Sequence, residues 1–299
     1  MHPGVVTEPR CAAVSAALHE PQAGTAATAA AWICLEQPGP WGTNALTESH
    51  LDPALGAELG RRADAAGVRV LLIRRPGHHA DTHRPAPRRI YLASTAPGAS
   101  WLERADTDPR RLLDLDFAAL AAGVRPGFGE PVAQPLLMVC TNSRRDVCCA
   151  LWGRPLVAEL AGTHPEAVWE CTHTGGHRFS PTGVLLPTGY LYGRLDAPFA
   201  RHLLAEAARG RVVTDRCRGR SAFPKEGQVA ELAVRELLGE HGDVLTVRGT
   251  TVRHVDGRAW RVAVGNEDLP PARPASCGAV PAVPTRLVAT DVQRLVPVP

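Results

Sequence analysis

The stretch that decides the fold is residues 135–177, PLLMVCTNSRRDVCCALWGRPLVAELAGTHPEAVWECTHTGGH. Pro135–Cys140 is an apolar run of strand length. Cys149–Ala161 carries Leu151, Leu156, Val157 and Leu160 at the spacing of a helix with one inward side. Val168–Thr172 predicts a second strand. Two strands joined by a helix must run parallel, with a right-handed crossover. Gly183–Leu186 and Leu191–Leu195 then flank Pro187-Thr188-Gly189 as a hairpin, and Ala197–Ala208 predicts a helix.

Strand, helix, strand, hairpin, helix is the thioredoxin-like order, and it also occurs upstream. Ala31–Glu36 predicts a strand ended by Pro38-Gly39-Pro40. Residues 51–66 have helical spacing at Leu51, Leu55 and Leu59, with Pro53 tolerated in the first turn. Val68–Ile73 is a strand, Arg89–Ser94 and Ser100–Glu103 flank Pro97-Gly98 as a hairpin, and 111–122 is a helix. Arg-Pro-Gly-His (75–78) precedes the first hairpin as Thr-Gly-Gly-His (174–177) precedes the second. The pattern is that of a degenerate internal duplication. Beyond it, 227–239 predicts an amphipathic helix, and Val244–Arg248 and Ala259–Val264 predict strands, with a turn at Asp256-Gly257. The Pro-rich tail from Leu269 is expected to wrap irregularly.

A hydrophobic fraction of 44% and a charged fraction of 21% belong to a soluble globular chain. The net charge of +3 is too small for nucleic acid or a membrane surface to be the main partner. No apolar run reaches the roughly 18–20 residues that span a bilayer. The first ten residues lack the pattern of a signal peptide, so a cytoplasmic location is expected. The eight cysteines are Cys11, Cys34, Cys140, Cys148, Cys149, Cys171, Cys217 and Cys277. In a long chain without a secretory signal they point to metal or redox chemistry and not to disulfide staples.

Cys140 ends a predicted strand and Cys149 opens the next helix, where the dipole and free N–H groups favour a thiolate. His173 and His177 lie on the loop after the neighbouring strand, so both loops open at one end of the sheet. Gly175 and Gly176 let that loop turn tightly. Two thiolates and two imidazoles suit a Rieske-type [2Fe–2S] cluster. Zinc is the rival: His-x3-His fits it, but Cys-x8-Cys is wider than its usual spacing. Cys148 is the alternative to Cys149. One helical step turns a side chain by about 100°, so only one of the two should face the site, and Cys149 is preferred. Cys171 lines the site or belongs to the core, and core is preferred. Cys11, Cys217 and Cys277 are read as structural. His78 and His79 are the counterparts in the first half, which offers Cys34 but no cysteine pair, so no second cluster is expected there. Arg144, Arg145 and Arg178 flank the ligands as solvated charges, or as a dock for an acidic partner. Arg216–Arg220 reads as a short basic loop.

Cys-x8-Cys followed by His-x-Gly-Gly-His resembles the sucrase/ferredoxin-like family of thioredoxin-like [2Fe–2S] ferredoxins. Further matching pieces are Leu35–Gly42, Arg145–Ala150, Gly153–Leu156 and Gly175–Phe179, and the resemblance runs from about Cys11 to Leu195 and, more weakly, through Ser276-Cys277-Gly278. The resemblance implies an α/β, thioredoxin-like fold and a cluster held by Cys140, Cys149, His173 and His177. The expected organisation is a degenerate thioredoxin-like half (1–126), a thioredoxin-like ferredoxin domain (127–205) and an α+β C-terminal region (206–299). The expected function is one-electron transfer to or from a separate redox protein, with proton coupling at the histidines. The alternatives are an iron or redox sensor with a labile cluster, and a structural zinc protein. No Walker loop, Rossmann fingerprint, nucleophile elbow or glycosidase carboxylate pair is present, so no catalytic residue is assigned.

Overall fold

A computed structural model describes residues 10–77 and 87–296. His78, His79 and the first nine residues lie outside the described residues. The strands are β1 (Ala31–Glu36), β2 (Val68–Arg74), β3 (Arg88–Ser94), β4 (Trp101–Thr107), β5 (Glu130–Pro131), β6 (Leu136–Cys140), β7 (Val168–Cys171), β8 (Gly183–Leu186), β9 (Tyr190–Tyr192), β10 (Cys217–Arg220), β11 (Leu245–Arg248), β12 (Thr251–His254), β13 (Ala259–Asp268) and β14 (Thr285–Leu295). The α-helices are α1 (Cys11–Ala17), α2 (Ala45–Glu48), α3 (Pro53–Ala66), α4 (Phe117–Ala121), α5 (Val147–Ala161), α6 (Ala197–Ala208) and α7 (Lys225–Leu238).

One large sheet has the order β10-β9-β8-β6-β7-β2-β1-β3-β4-β5. Within it the two halves share a strand order, β4-β3-β1-β2 and β9-β8-β6-β7. In each, the first two strands are parallel and the hairpin is antiparallel to the first. This is the thioredoxin-like arrangement, twice. The halves meet where β2 lies antiparallel to β7, through Ile73↔Cys171 and Arg74↔Glu170 alone. Just beyond, the Thr172 N–H donates to the Leu72 carbonyl (2.9 Å), and the Leu72 N–H donates to the Thr172 hydroxyl (3.1 Å).

Both faces of this sheet are covered, which is why its strands read as unbroken apolar runs. Trp32, Cys34, Leu71, Ile73, Met138 and Trp169 share one core layer, which also holds Ala26 and Ala29 from the segment before β1. On the other face, Ile33 and Leu35 pack with Leu55 and Leu59 of α3. Leu137 and Val139 pack there with Leu156, Val157 and Leu160 of α5 and Leu203 of α6. A second sheet, β11-β12-β13-β14, buries Leu245, Val252, Trp260 and Val262 against Ala230 and Val234 of α7.

Four expectations are corrected. The helix at 111–122 is a 3-10 turn (Pro109–Asp114) followed by α4. Asp116 interrupts it by capping α4, accepting from the Ala118 and Ala119 N–H groups at 2.9 and 3.0 Å. Helix α5 begins at Val147, because Asp146 caps it from the Cys148 N–H (2.8 Å). Cys148 and Cys149 therefore both lie in its first turn. Arg216–Arg220 is not a surface loop. Cys217–Arg220 forms β10 on the large sheet, with Arg218 and Arg220 buried. The tail wraps irregularly only over 269–284 and then forms β14, paired along β13 from Thr285 to Leu295.

Candidate metal centre

Strands β6 and β7 are parallel with Cys140 opposite Cys171, so the loops that follow both strands open at the same end. Cys140 closes β6, and Cys149 follows in the first turn of α5. Gly153 sets their separation: a Cβ there would lie 2.5 Å from the Cys140 carbonyl oxygen and 3.2 Å from Thr141 Cγ2. The helix thus packs directly on the backbone of the Cys140 turn.

His173, Cys149 and His177 come together above this turn. Cys149 Sγ lies 3.3 Å from His177 Nδ1. The two imidazoles stack with centroids 4.5 Å apart and 24° between planes. The Gly175 N–H donates to His173 Nδ1 (3.4 Å). The Cys140 sulfur accepts from Cys149 and His173, and from the backbone N–H groups of Thr174 and Asn142. All four expected ligands are therefore neighbours. Cys171 is fully buried beside Cys140, in the core layer.

Charge is unevenly shared among them. The hydrogen bond from Cys149 holds the Cys140 thiol well below its usual range despite full burial, with help from His173 and the two amides. As the donor, Cys149 is pushed up, and burial adds to this. Burial, then the neighbouring His173, lowers His177 below 6.5, so at neutral pH it is the uncharged imidazole that can ligate a metal.

Two guanidinium groups, Arg218 buried and Arg69 half-buried, fix the histidine loop. Arg69 donates to the His173 carbonyl (3.0 Å). Arg218 donates to the Gly175 carbonyl (2.9 Å) and to the hydroxyl (3.1 Å) and carbonyl of Thr25. Burial pulls the Arg218 pKa down to about 9. Gly176 has φ +73°, and a Cβ there would run into the Arg218 guanidinium. Arg218 was not singled out from sequence, since its partner Gly175 lies 43 positions away. The three flanking arginines separate. Arg144 and Arg145 are exposed, whereas Arg178 is engaged by buried Glu20 at 2.6 Å.

A second group of ligand atoms lies on the other side of the α5 first turn. The sulfurs of Cys11, Cys148 and Cys277 and a carboxylate oxygen of Asp146 all lie within 4.8 Å of one another, a group that could hold a metal ion. Sequence reasoning missed it, because Cys11 and Cys277 lie 137 and 129 positions from Cys148 and no local spacing links them. The only available signal was the surplus of cysteines beyond the Cys140–Cys149 pair.

No curated protein matches the chain, and no solved structure does. The family model for sucrase/ferredoxin-like proteins matches residues 22–219, about two thirds of the chain. That span holds Cys140, Cys149, His173 and His177 together with both thioredoxin-like halves of the sheet, and the chain belongs to the sucrase/ferredoxin-like family.

Proposed function

We propose that this chain is a ferredoxin-like one-electron carrier, with a [2Fe–2S] cluster held by Cys140, Cys149, His173 and His177. The observation that carries the reading is the convergence of two thiols and two imidazoles at one end of the β6–β7 pair. The donor set suits such a group: the Cys140 thiol is held well below its usual range by the hydrogen bond from Cys149, that second sulfur is beside it, and His177, lowered by burial, has Nδ1 turned toward sulfur. When bound, the cluster supplies a one-electron couple, at a potential raised by imidazole in place of thiolate. Arg69 and Arg218 hold the histidine loop from beneath, and Gly153 lets α5 seat Cys149 against the Cys140 turn. The exposed Arg144 and Arg145, beside half-exposed Val147 and Leu151, form a positive rim with an apolar patch, suited to an acidic redox partner.

Anaerobic purification tests the reading. The expected result is an iron–sulfur visible spectrum with about two irons and two sulfides per chain, both lost in Cys140→Ser and His177→Ala. Zinc bound by these four residues without acid-labile sulfide would overturn it. Reversible reduction with iron retained separates a carrier from a sensor, whose cluster is lost on oxidation. For the rim, the reduced protein is mixed with anionic ferricyanide or with a cationic cobalt hexaammine. Charge reversal at Arg144 and Arg145 should slow the first reaction and speed the second. Equal rates before and after reversal would remove the rim from the proposal.

A further inference from the structure

We propose that Cys11, Cys148, Cys277 and Asp146 form a second, mononuclear zinc site, distinct from the Cys140–His177 set. The three sulfurs form a triangle with edges of 3.3 Å (Cys148–Cys277), 3.6 Å (Cys11–Cys277) and 3.7 Å (Cys11–Cys148). A disulfide holds its sulfurs about 2.05 Å apart, so none of these pairs is joined. Thiolates at about 2.3 Å from one tetrahedral centre lie roughly 3.8 Å from each other. The triangle is close to one face of that tetrahedron. The Asp146 carboxylate supplies the fourth corner, with its oxygens 3.7 and 4.0 Å from Cys11 Sγ.

Three soft sulfurs and one oxygen at tetrahedral spacing select zinc over magnesium or calcium, which need more and harder ligands. Cys11, Cys148 and Asp146 are buried and Cys277 is half-buried. A closed set of four protein ligands is a structural site, without an open position for chemistry. Zinc would displace the three thiol protons, leaving ligands with a summed charge of −4 around a +2 ion. The surroundings offset part of that charge. Asp146 accepts from the Cys148 and Cys277 N–H groups, both at 2.8 Å. The Cys148 sulfur accepts from the Ala12 N–H. The positive end of the 15-residue helix α5 points into the group.

The ligands come from three places: α1, the cap and first turn of α5, and the irregular stretch 269–284. Cys11 and Cys277 lie outside the span matched by the family, and Cys148 and Asp146 lie inside it. The ion would tie both ends of the chain to the turn that also carries Cys149. The inference does not rest on the nature of the other site.

The test is metal analysis of the full chain, purified anaerobically with its thiols reduced. The expected content is about one zinc per chain, in addition to any iron. Cys11→Ser and Cys277→Ser should each lose the zinc while keeping iron, sulfide and the visible spectrum. Cys140→Ser should do the reverse. Cobalt exchanged into the wild-type chain should give sulfur-to-cobalt charge-transfer bands that are absent from Cys277→Ser. Circular dichroism checks that each variant is folded, and Cys277, on a loop and half-exposed, is the substitution least able to disturb the core. Wild-type protein without zinc, zinc that survives both substitutions, or a Cys148–Cys277 disulfide in an unreduced digest would overturn the inference. Loss of iron without loss of zinc in Cys140→Ser would show that the two sites stand or fall separately.

Discussion

Arg218 is cut off from water and gives its hydrogen bonds to Thr25 and to the Gly175 carbonyl between the two histidines. Arg218→Ala would leave those half-buried acceptors without their donor, at about 1 kcal/mol each. Urea unfolding should show that loss, and iron retention should fall with it. Arg218→Lys should not restore either, because a single ammonium cannot span both carbonyls as the planar fork does. The meeting of Cys140, Cys149, His173 and His177 at one end of the sheet was legible because Cys-x8-Cys and His-x3-His are local patterns on predictable elements. Arg218 and the Cys11–Cys148–Cys277 group were not, because their partners are brought together only by tertiary packing. Helical phase did tell that Cys148 and Cys149 must face apart; it could not tell what Cys148 would meet.

At the scale of elements, the contact between α5 and β6 depends on Gly153. Gly153→Ala should destabilise the fold by about 1–3 kcal/mol through overpacking against the Cys140 carbonyl. This runs against the gain of about 1 kcal/mol that alanine brings to an ordinary helix interior. A rise in the denaturant midpoint would show that the helix can shift freely. The seam between β2 and β7 depends on one buried ion pair. Arg74 reaches Glu170 at 2.6 and 2.9 Å, Thr141 donates to the same carboxylate (2.8 Å), and Arg74 lies over Trp41. Glu170→Ala leaves that guanidinium buried without its partner, an expected cost of about 3–5 kcal/mol in chemical denaturation. The strands themselves were legible as apolar runs. The seam was not, since two residue pairs leave no pattern that a sequence window could detect. The helix at 111–122 was misread because its apolar spacing continues through Asp116, whose capping of α4 overrides it.

At the scale of the molecule, Glu20 ties three distant segments together. It is buried between Arg178 of the histidine loop (2.6 Å) and Arg273 of the irregular stretch (2.9 Å). Burial alone would raise its pKa, but the two arginines outweigh it and leave it below 4.5. A carboxylate depressed in the folded state stabilises fully above its unfolded value, and that stability is lost as pH falls through the folded one. Thermal stability should therefore drop as the pH is taken below about 4.5, and Glu20→Gln should flatten that part of the profile. An unchanged profile would mean that other carboxylates govern the acid limb. The order of strands within each half was legible from crossover handedness and short connections. The ten-stranded continuity and the return of the tail as β14 were not, because both depend on pairings across long separations.

The adjacency of Cys148 and Cys149 has a genetic consequence. Two sites that share a dipeptide share a reading register. Substitution can abolish either one alone, but a single-codon insertion or deletion between Cys149 and Gly153 would rotate both sulfurs together by about 100° relative to the contact at Gly153. Each would then face the wrong neighbours, and the helix could not slide back without driving its backbone into the Cys140 turn. Between Cys149 and Gly153 the intervening codons can drift in letters but not in number.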